Sequence, residues 1–391
     1  MKKNSCWHLA WWAWVWTIPA LFLLPALVLL GVSGELSPVA PWLSGTEKPD
    51  QPSLAGTAYS DATAHWKKEA WFQRRPAVVA LGSSRVLMFR GDFFRQPDGF
   101  FNAGRIASFH EFAGILRSLP AEAAPRTLLL GVDPWWFEPG WYASNLAQKS
   151  DVNKPPPSPI ELFQWNWRQV LEDVQKGKIG LSRLFSGIPG VRTHGLTARM
   201  HTEGYLWDGS YWYGRKVAHP GDPRLEDAGF ADTLSRIRTG TKNFAPCRDF
   251  DPGAIRQLTD LLDLCREKNI RVCGFLPPLA PTVLLHLRER NGEYPQFFRL
   301  QDTLGPLFAR RGFSFFDGTD ATALGSGDDE MIDGFHGSDT TYARLLLLLA
   351  AKDPRLGEEV DPAHLESLLE HRRSGCALRP LEDWGKGGAR R

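Results

Sequence analysis

The chain has 391 residues, with 46 Lys and Arg against 44 Asp and Glu and a formal net charge of +2. That balance gives no reason to expect nucleic acid or another polyanion as a partner. With 43% hydrophobic residues the chain is no disordered polymer, and its length suits one large α/β domain with insertions, or about two or three domains.

The first element in chain order is apolar. Lys2 and Lys3 precede a run from Trp7 to about Leu30 that contains no Asp, Glu, Lys or Arg. About 20 apolar residues cross a bilayer, whereas a cleaved signal has an apolar region of about 7–15. Gly31-Val32-Ser33-Gly34 offers a cleavage site, but the length favours a retained anchor, residues 1–34. The two lysines belong on the cytoplasmic side, which sends everything after Gly34 across the membrane. Trp7, Trp11, Trp12, Trp14 and Trp16 suit an interfacial belt. Residues 35–76, rich in Pro, Ser, Thr and Gly, read as a stalk.

From Ala77 the pattern alternates between buried strands and helices. Ala77–Leu81 reads as a strand, followed by Gly82, Ser83 and Ser84 and then a helix from Arg85. Phe100-Phe101-Asn102 is a short strand, Ile106–Leu119 has helical spacing, and Arg126–Val132 is a buried strand ending at Asp133. An insertion at about 140–251 follows, with a helix over Ile160–Lys176 and an aromatic stretch holding Tyr205, Trp207, Tyr211, Trp212 and Tyr213. Those rings can stack on sugars, or pack as a core or lid. The alternation then resumes. Asp251-Pro252 opens a helix that runs to Lys268. Arg271–Leu276 is a strand, Phe297–Arg311 a helix, Phe313–Phe316 a strand, and Thr340–Lys352 an apolar helix. The tail, 353–391, reads as polar and partly mobile. Strand–helix alternation with buried strands predicts a parallel sheet with helices on both faces.

A small-residue turn after a buried strand exposes a hydroxyl at the carboxyl edge of such a sheet, where ligands bind. Ser84 is therefore a candidate nucleophile, with Ser83 as the spare. Far downstream, Asp333 and His336 are three residues apart in Met331-Ile332-Asp333-Gly334-Phe335-His336-Gly337. A carboxylate at that spacing can hold Nδ1–H of the imidazole while Nε2 faces the serine. His110, His194, His201 and His219 have no carboxylate so placed and read as surface or packing residues. Cys247, Cys265, Cys273 and Cys376 would share an oxidising compartment, where four cysteines allow three pairings. No cysteine or histidine spacing suggests a metal site, and no cofactor motif is present.

Serine first and Asp-x-x-His near the C-terminus resembles the SGNH (GDSL-like) hydrolase superfamily. Gly82-Ser83-Ser84-Arg85 stands where that family has its nucleophile block, and Phe101-Asn102-Ala103-Gly104 looks like its second block. Leu130-Gly131-Val132-Asp133 falls where a Gly-x-Asn-Asp block is expected. The resemblance implies a flavodoxin-like α/β fold and an oxyanion hole built from the Ser84 and Gly104 N–H groups, with Asn102 as a further donor. Asp133 departs from the pattern, because an ionised carboxylate cannot donate a hydrogen bond. Arg85 and Asp133 stand as possible substrate-binding residues.

With the apolar N-terminus, the architecture resembles membrane-anchored SGNH-like proteins that acylate bacterial cell-wall polymers and exopolysaccharides, such as the D-alanine transfer and alginate acetylation proteins. That likeness implies an O-acyltransferase or esterase on the periplasmic side of the inner membrane. It would act on a polysaccharide, beside a membrane-bound O-acyltransferase partner. A catalytically silent scaffold that binds polysaccharide or an assembly partner is the alternative, and a lipid-ester hydrolase at the bilayer surface a third.

Overall fold

The computed structural model describes residues 5–37, 51–106, 108–147 and 152–384. Its strands, in chain order, are β1 (Ser53–Ala55), β2 (Val78–Leu81), β3 (Phe100–Asn102), β4 (Thr127–Gly131), β5 (Arg192–His194), β6 (Glu203–Tyr205), β7 (Tyr211–Tyr213), β8 (Arg271–Leu276) and β9 (Ser314–Asp317).

Five of them form a parallel sheet in the order β3-β2-β4-β8-β9. Val78 pairs with Phe100 on one side and Thr127 on the other, Thr127 with Arg271, and Cys273 with Ser314. Alternate residues serve opposite faces, as strand geometry requires. Val79, Leu81, Leu128, Leu130 and Val272 pack with the helices Phe109–Ser118 and Pro252–Glu267. Val78, Ala80, Leu129, Cys273 and Phe275 pack against the helix Asp339–Lys352. Burial on both faces explains why these strands read as continuous apolar runs. The chain leaves β2 for β3 on one side and returns to β4 on the other. That reversal opens a crevice at the carboxyl ends of β2 and β4.

The expected helix from Arg85 does not form. A 3-10 turn, Ser84–Val86, replaces it. The Asn102 side-chain amide donates to the carbonyls of Val86 and Phe89, diverting acceptors that a helix would use.

The segment 35–76 is not a stalk where it is described. Glu35 is buried, and its carboxylate accepts from the N–H groups of Ala58, Tyr59 and Leu196. β1 enters a second sheet, β5-β1-β6-β7, with strands of the insertion. The helix Thr63–Arg74 buries Trp66, Lys67 and Trp71. Loop-forming composition says that a segment is irregular, not that it stands clear of the domain. The tail is likewise built in: helix Pro362–Glu370 packs on the core, and Cys376, Leu378, Leu381 and Trp384 are buried.

Ser5–Ser33 is one helix, and its end docks on the domain through Ala26, Leu29 and Leu30 against Val170, Leu184 and Leu196. Leu21, Phe22, Leu24, Leu27 and Val28 are exposed. Among the described residues no helix is long and apolar enough to cross a membrane. Before Ala20, the side chains of this helix are described only at Trp14 and Thr17.

Candidate active site

The turn after β2 closes round one side chain. A Cβ at Gly82, Gly104 or Gly131 would come within 2.7, 2.6 and 2.3 Å of a Val86 methyl. Three strand ends can therefore converge on Val86 only because all three positions lack a side chain. Ser83 caps the 3-10 turn, its hydroxyl accepting from the Arg85 N–H. The turn presents Ser84 at its first position, partly buried.

The structure brings Ser84, Asp333 and His336 together. Ser84 Oγ is 2.9 Å from His336 Nε2. His336 Nδ1 is 2.9 and 2.8 Å from the two oxygens of Asp333. Asp333 Oδ1 also accepts from the N–H groups of Phe335 and His336. Burial alone would raise the Asp333 carboxyl. His336, these hydrogen bonds and the charge of Lys216 outweigh it and hold the carboxyl below its ordinary value. An ionised Asp333 accepts only, so it assigns the ring proton to Nδ1 and leaves the Nε2 lone pair facing Ser84. The His loop is pinned from outside. Gly334 N–H donates to Asp227, and Met331 pairs with Gly337 in an isolated bridge.

The oxyanion side differs from expectation. Gly104 N–H donates to Asn102 Oδ1 at 3.0 Å, and both protons of the Asn102 amide serve Val86 and Phe89 carbonyls. Neither residue has a donor to spare for a substrate. Asn102 is instead the brace between the second block and the serine turn. The Ser84 N–H, at the start of its turn, is among the amides such a turn leaves without an intrahelical acceptor.

Arg85 and Asp133 are not substrate-facing. Each side chain is 1% exposed, and they pair at 3.1 Å. Arg85 also donates to the carbonyls of Phe335, Pro277 and Pro278 and lies over the Trp135 ring. One guanidinium thus ties the turn after β2 to the ends of β4 and β8 and to the His loop. Burial pushes the Asp133 carboxyl above its ordinary value, against the pull of Arg85. Its Oδ2 makes no hydrogen bond of ordinary geometry, although Ser83 is close enough to favour the charged form. From the sequence Arg85 is a possible substrate-binding residue or the partner of an acidic neighbour, and the structure makes it the partner of Asp133. Its burial depends on four loops that are distant in the chain.

Tyr213, one ring of the aromatic stretch, stands beside the nucleophile. Its hydroxyl is 3.4 Å from the Ser84 carbonyl, and its ring centroid is 5.9 Å from that of His336. Trp66, Tyr205, Tyr211 and Tyr213 form a chain of edge contacts, with Tyr205, Trp207 and Trp212 buried. The stretch mostly packs, and only Tyr211 and Tyr213 keep partial exposure. Cys247, Cys265, Cys273 and Cys376 are buried free thiols, so no pair among them is bonded. Among the described residues no group of three His, Cys, Asp or Glu side chains is placed to hold a metal ion.

The chain matches no protein-family model and no curated protein. The fold defines an α/β protein with a five-stranded parallel sheet. The site defines a hydroxyl, an imidazole and a carboxylate in hydrogen-bonded series at the sheet's carboxyl edge.

Proposed function

We propose that this chain is a serine acyl enzyme of SGNH type. It would be an O-acyltransferase or esterase acting on a cell-surface or secreted polysaccharide from the outer side of the cytoplasmic membrane. One observation carries the reading: Ser84 Oγ lies 2.9 Å from the imidazole nitrogen that Asp333 leaves unprotonated. In the first step Ser84 attacks an ester carbonyl while His336 takes its proton. His336 then protonates the leaving alcohol, and an acyl-Ser84 remains. A second hydroxyl then attacks the acyl group while His336 takes its proton and returns one to Ser84 Oγ; water releases the acid and a sugar hydroxyl the ester product. The apolar run from Trp7 supports an anchor, and its docking on the domain would keep Ser84 at a fixed height above the bilayer. A donor delivered through a membrane-bound partner would suit that placement.

The second reading is a catalytically silent scaffold. It is favoured by the occupied Gly104 N–H and by a carboxylate at position 133 where the resemblance requires a donor. One amide is a thin oxyanion hole, since a single donor of this kind carries about 2.7–4 kcal/mol in related acyl chemistry. The deciding experiment is labelling of the purified full-length protein with a fluorophosphonate serine probe. Labelling of wild type that is lost in Ser84→Ala and His336→Ala supports the enzyme. A folded wild type that stays unlabelled sinks that reading and leaves the scaffold.

A further inference from the structure

An oxyanion forming on an ester at Ser84 needs more than the Ser84 N–H to hold it. The neighbouring donors are spent. Gly104 N–H serves Asn102 Oδ1, Arg105 N–H serves the Ser83 carbonyl, and Arg85 serves Asp133 and the carbonyls of Phe335, Pro277 and Pro278. The Tyr213 hydroxyl is different. It stands 3.4 Å from the Ser84 carbonyl oxygen, outside the ~2.5–3.0 Å of a well-formed O–H···O bond. That carbonyl already accepts the Leu87 N–H at 3.2 Å, so it keeps a partner when the phenolic proton turns away.

The hydroxyl is held in place by the strand that carries it. β7 pairs with β6, with Glu203 opposite Tyr213. Tyr211 N–H donates to the Leu87 carbonyl at 3.0 Å, and the buried Arg90 donates to the Tyr211 carbonyl at 2.8 Å. β7 is thereby stapled to the segment that follows the nucleophile. Side chains two apart on a strand share a face. The rings of Tyr211 and Tyr213 accordingly lie 4.8 Å apart between centroids, while Trp212 turns into the core. Desolvation, with Tyr211 and Asp333 nearby, holds the Tyr213 phenol well above its ordinary value, so it keeps its proton.

We propose that Tyr213 is the second oxyanion donor, a catalytic residue beside Ser84, Asp333 and His336. The assignment rests on the acyl-enzyme reading. As Ser84 Oγ bonds to the ester carbon, the carbonyl π pair moves onto its oxygen and the serine proton passes to His336 Nε2. The Tyr213 proton turns about its C–O bond from the Ser84 carbonyl to the oxyanion and stays on the phenol. When the intermediate collapses, the pair returns to the carbonyl and the alcohol leaves with the proton from His336. A side-chain hydroxyl thus supplies what the occupied Gly104 N–H does not.

The test uses the full-length protein in detergent. Tyr213→Phe keeps the ring and removes only the hydroxyl. Its fluorophosphonate labelling rate falls by ~10²–10³-fold, the loss expected for one such donor. With p-nitrophenyl acetate the loss falls on kcat and leaves KM in place. Phenylboronic acid, whose serine adduct puts an oxygen where the oxyanion forms, binds more weakly by a comparable factor. Tyr211→Phe, which strips a hydroxyl from the neighbouring ring, leaves all three readouts at wild type. A ring-fluorinated tyrosine introduced at position 213 keeps both hydroxyl and packing and labels at least as fast as wild type; slower labelling overturns the inference whether or not Tyr213→Phe folds. A slowed Tyr213→Phe with a lowered melting temperature and an unchanged boronic acid affinity makes the residue a packing group and also overturns it. A labelled wild type matched in rate by Tyr213→Phe overturns this inference alone. A folded wild type that takes no probe overturns the acyl enzyme, and this donor with it.

Discussion

Replacing Arg85 with Met tests whether one buried guanidinium holds the site together. The substitution roughly keeps the side chain's length and removes its charge. It deletes the pair with Asp133 and the bonds to the carbonyls of Phe335, Pro277 and Pro278. Asp133 is then a buried carboxylate with no cation beside it. Breaking a buried pair from one side costs about 3–5 kcal/mol, because the remaining charge is uncompensated. That is a large part of the ~5–15 kcal/mol by which domains are stable. The loss of three carbonyl partners acts in the same direction. Removing both charges is different: the double variant Arg85→Met, Asp133→Leu leaves no orphan charge and should recover about 2 kcal/mol or more of the single variant's loss. Urea unfolding followed by tryptophan fluorescence measures all four members of the cycle. A single variant within about 1 kcal/mol of wild type would refute the clamp. So would a double variant no more stable than the single one. Because Phe335 adjoins His336, serine-probe labelling should slow in Arg85→Met even under conditions where it remains folded.

Three further outcomes follow from the same geometry. Asp333→Asn should leave the fold intact yet lower the labelling rate by ~10³–10⁴, since a neutral amide no longer holds the imidazole in the required tautomer; a variant labelled at the wild-type rate would remove Asp333 from the mechanism. Asn102→Ala strands the Gly104 N–H and the carbonyls of Val86 and Phe89, so it should destabilise by ~1–3 kcal/mol for each buried group left unsatisfied; an unfolding midpoint equal to wild type would contradict the brace. Asp339 is buried 3.9 Å from Arg90, and burial raises its carboxyl to about 6. A folded value above the unfolded one means that this group's ionisation penalises the fold. The penalty is absent below about pH 4 and complete above about pH 6, reaching about 3 kcal/mol. The stability of wild type relative to Asp339→Asn should therefore fall as pH rises through that window, and a flat difference would exclude the effect.

Much of the site was legible because its signals are local. Continuous apolar runs marked β2, β4 and β8, and the Asp-x-x-His spacing placed a carboxylate and an imidazole on one loop. Period and spacing act over a few residues, so they survive in a linear chain. What the amino-acid order determined was which segments become strands of the parallel sheet and which hydroxyl stands at a strand end. The tertiary structure decided how the polar groups were spent. The Asn102 amide serves Val86 and Phe89 because the turn after β3 folds back on the turn after β2. Arg85 points inward because the ends of β4 and β8 and the His loop meet behind it. β1 leaves its expected linker to pair with β5 and β6, contacts set by the closing of the second sheet. Each of these is a competition among acceptors brought together by burial, and a donor's choice among them depends on distances that exist only once the chain is folded.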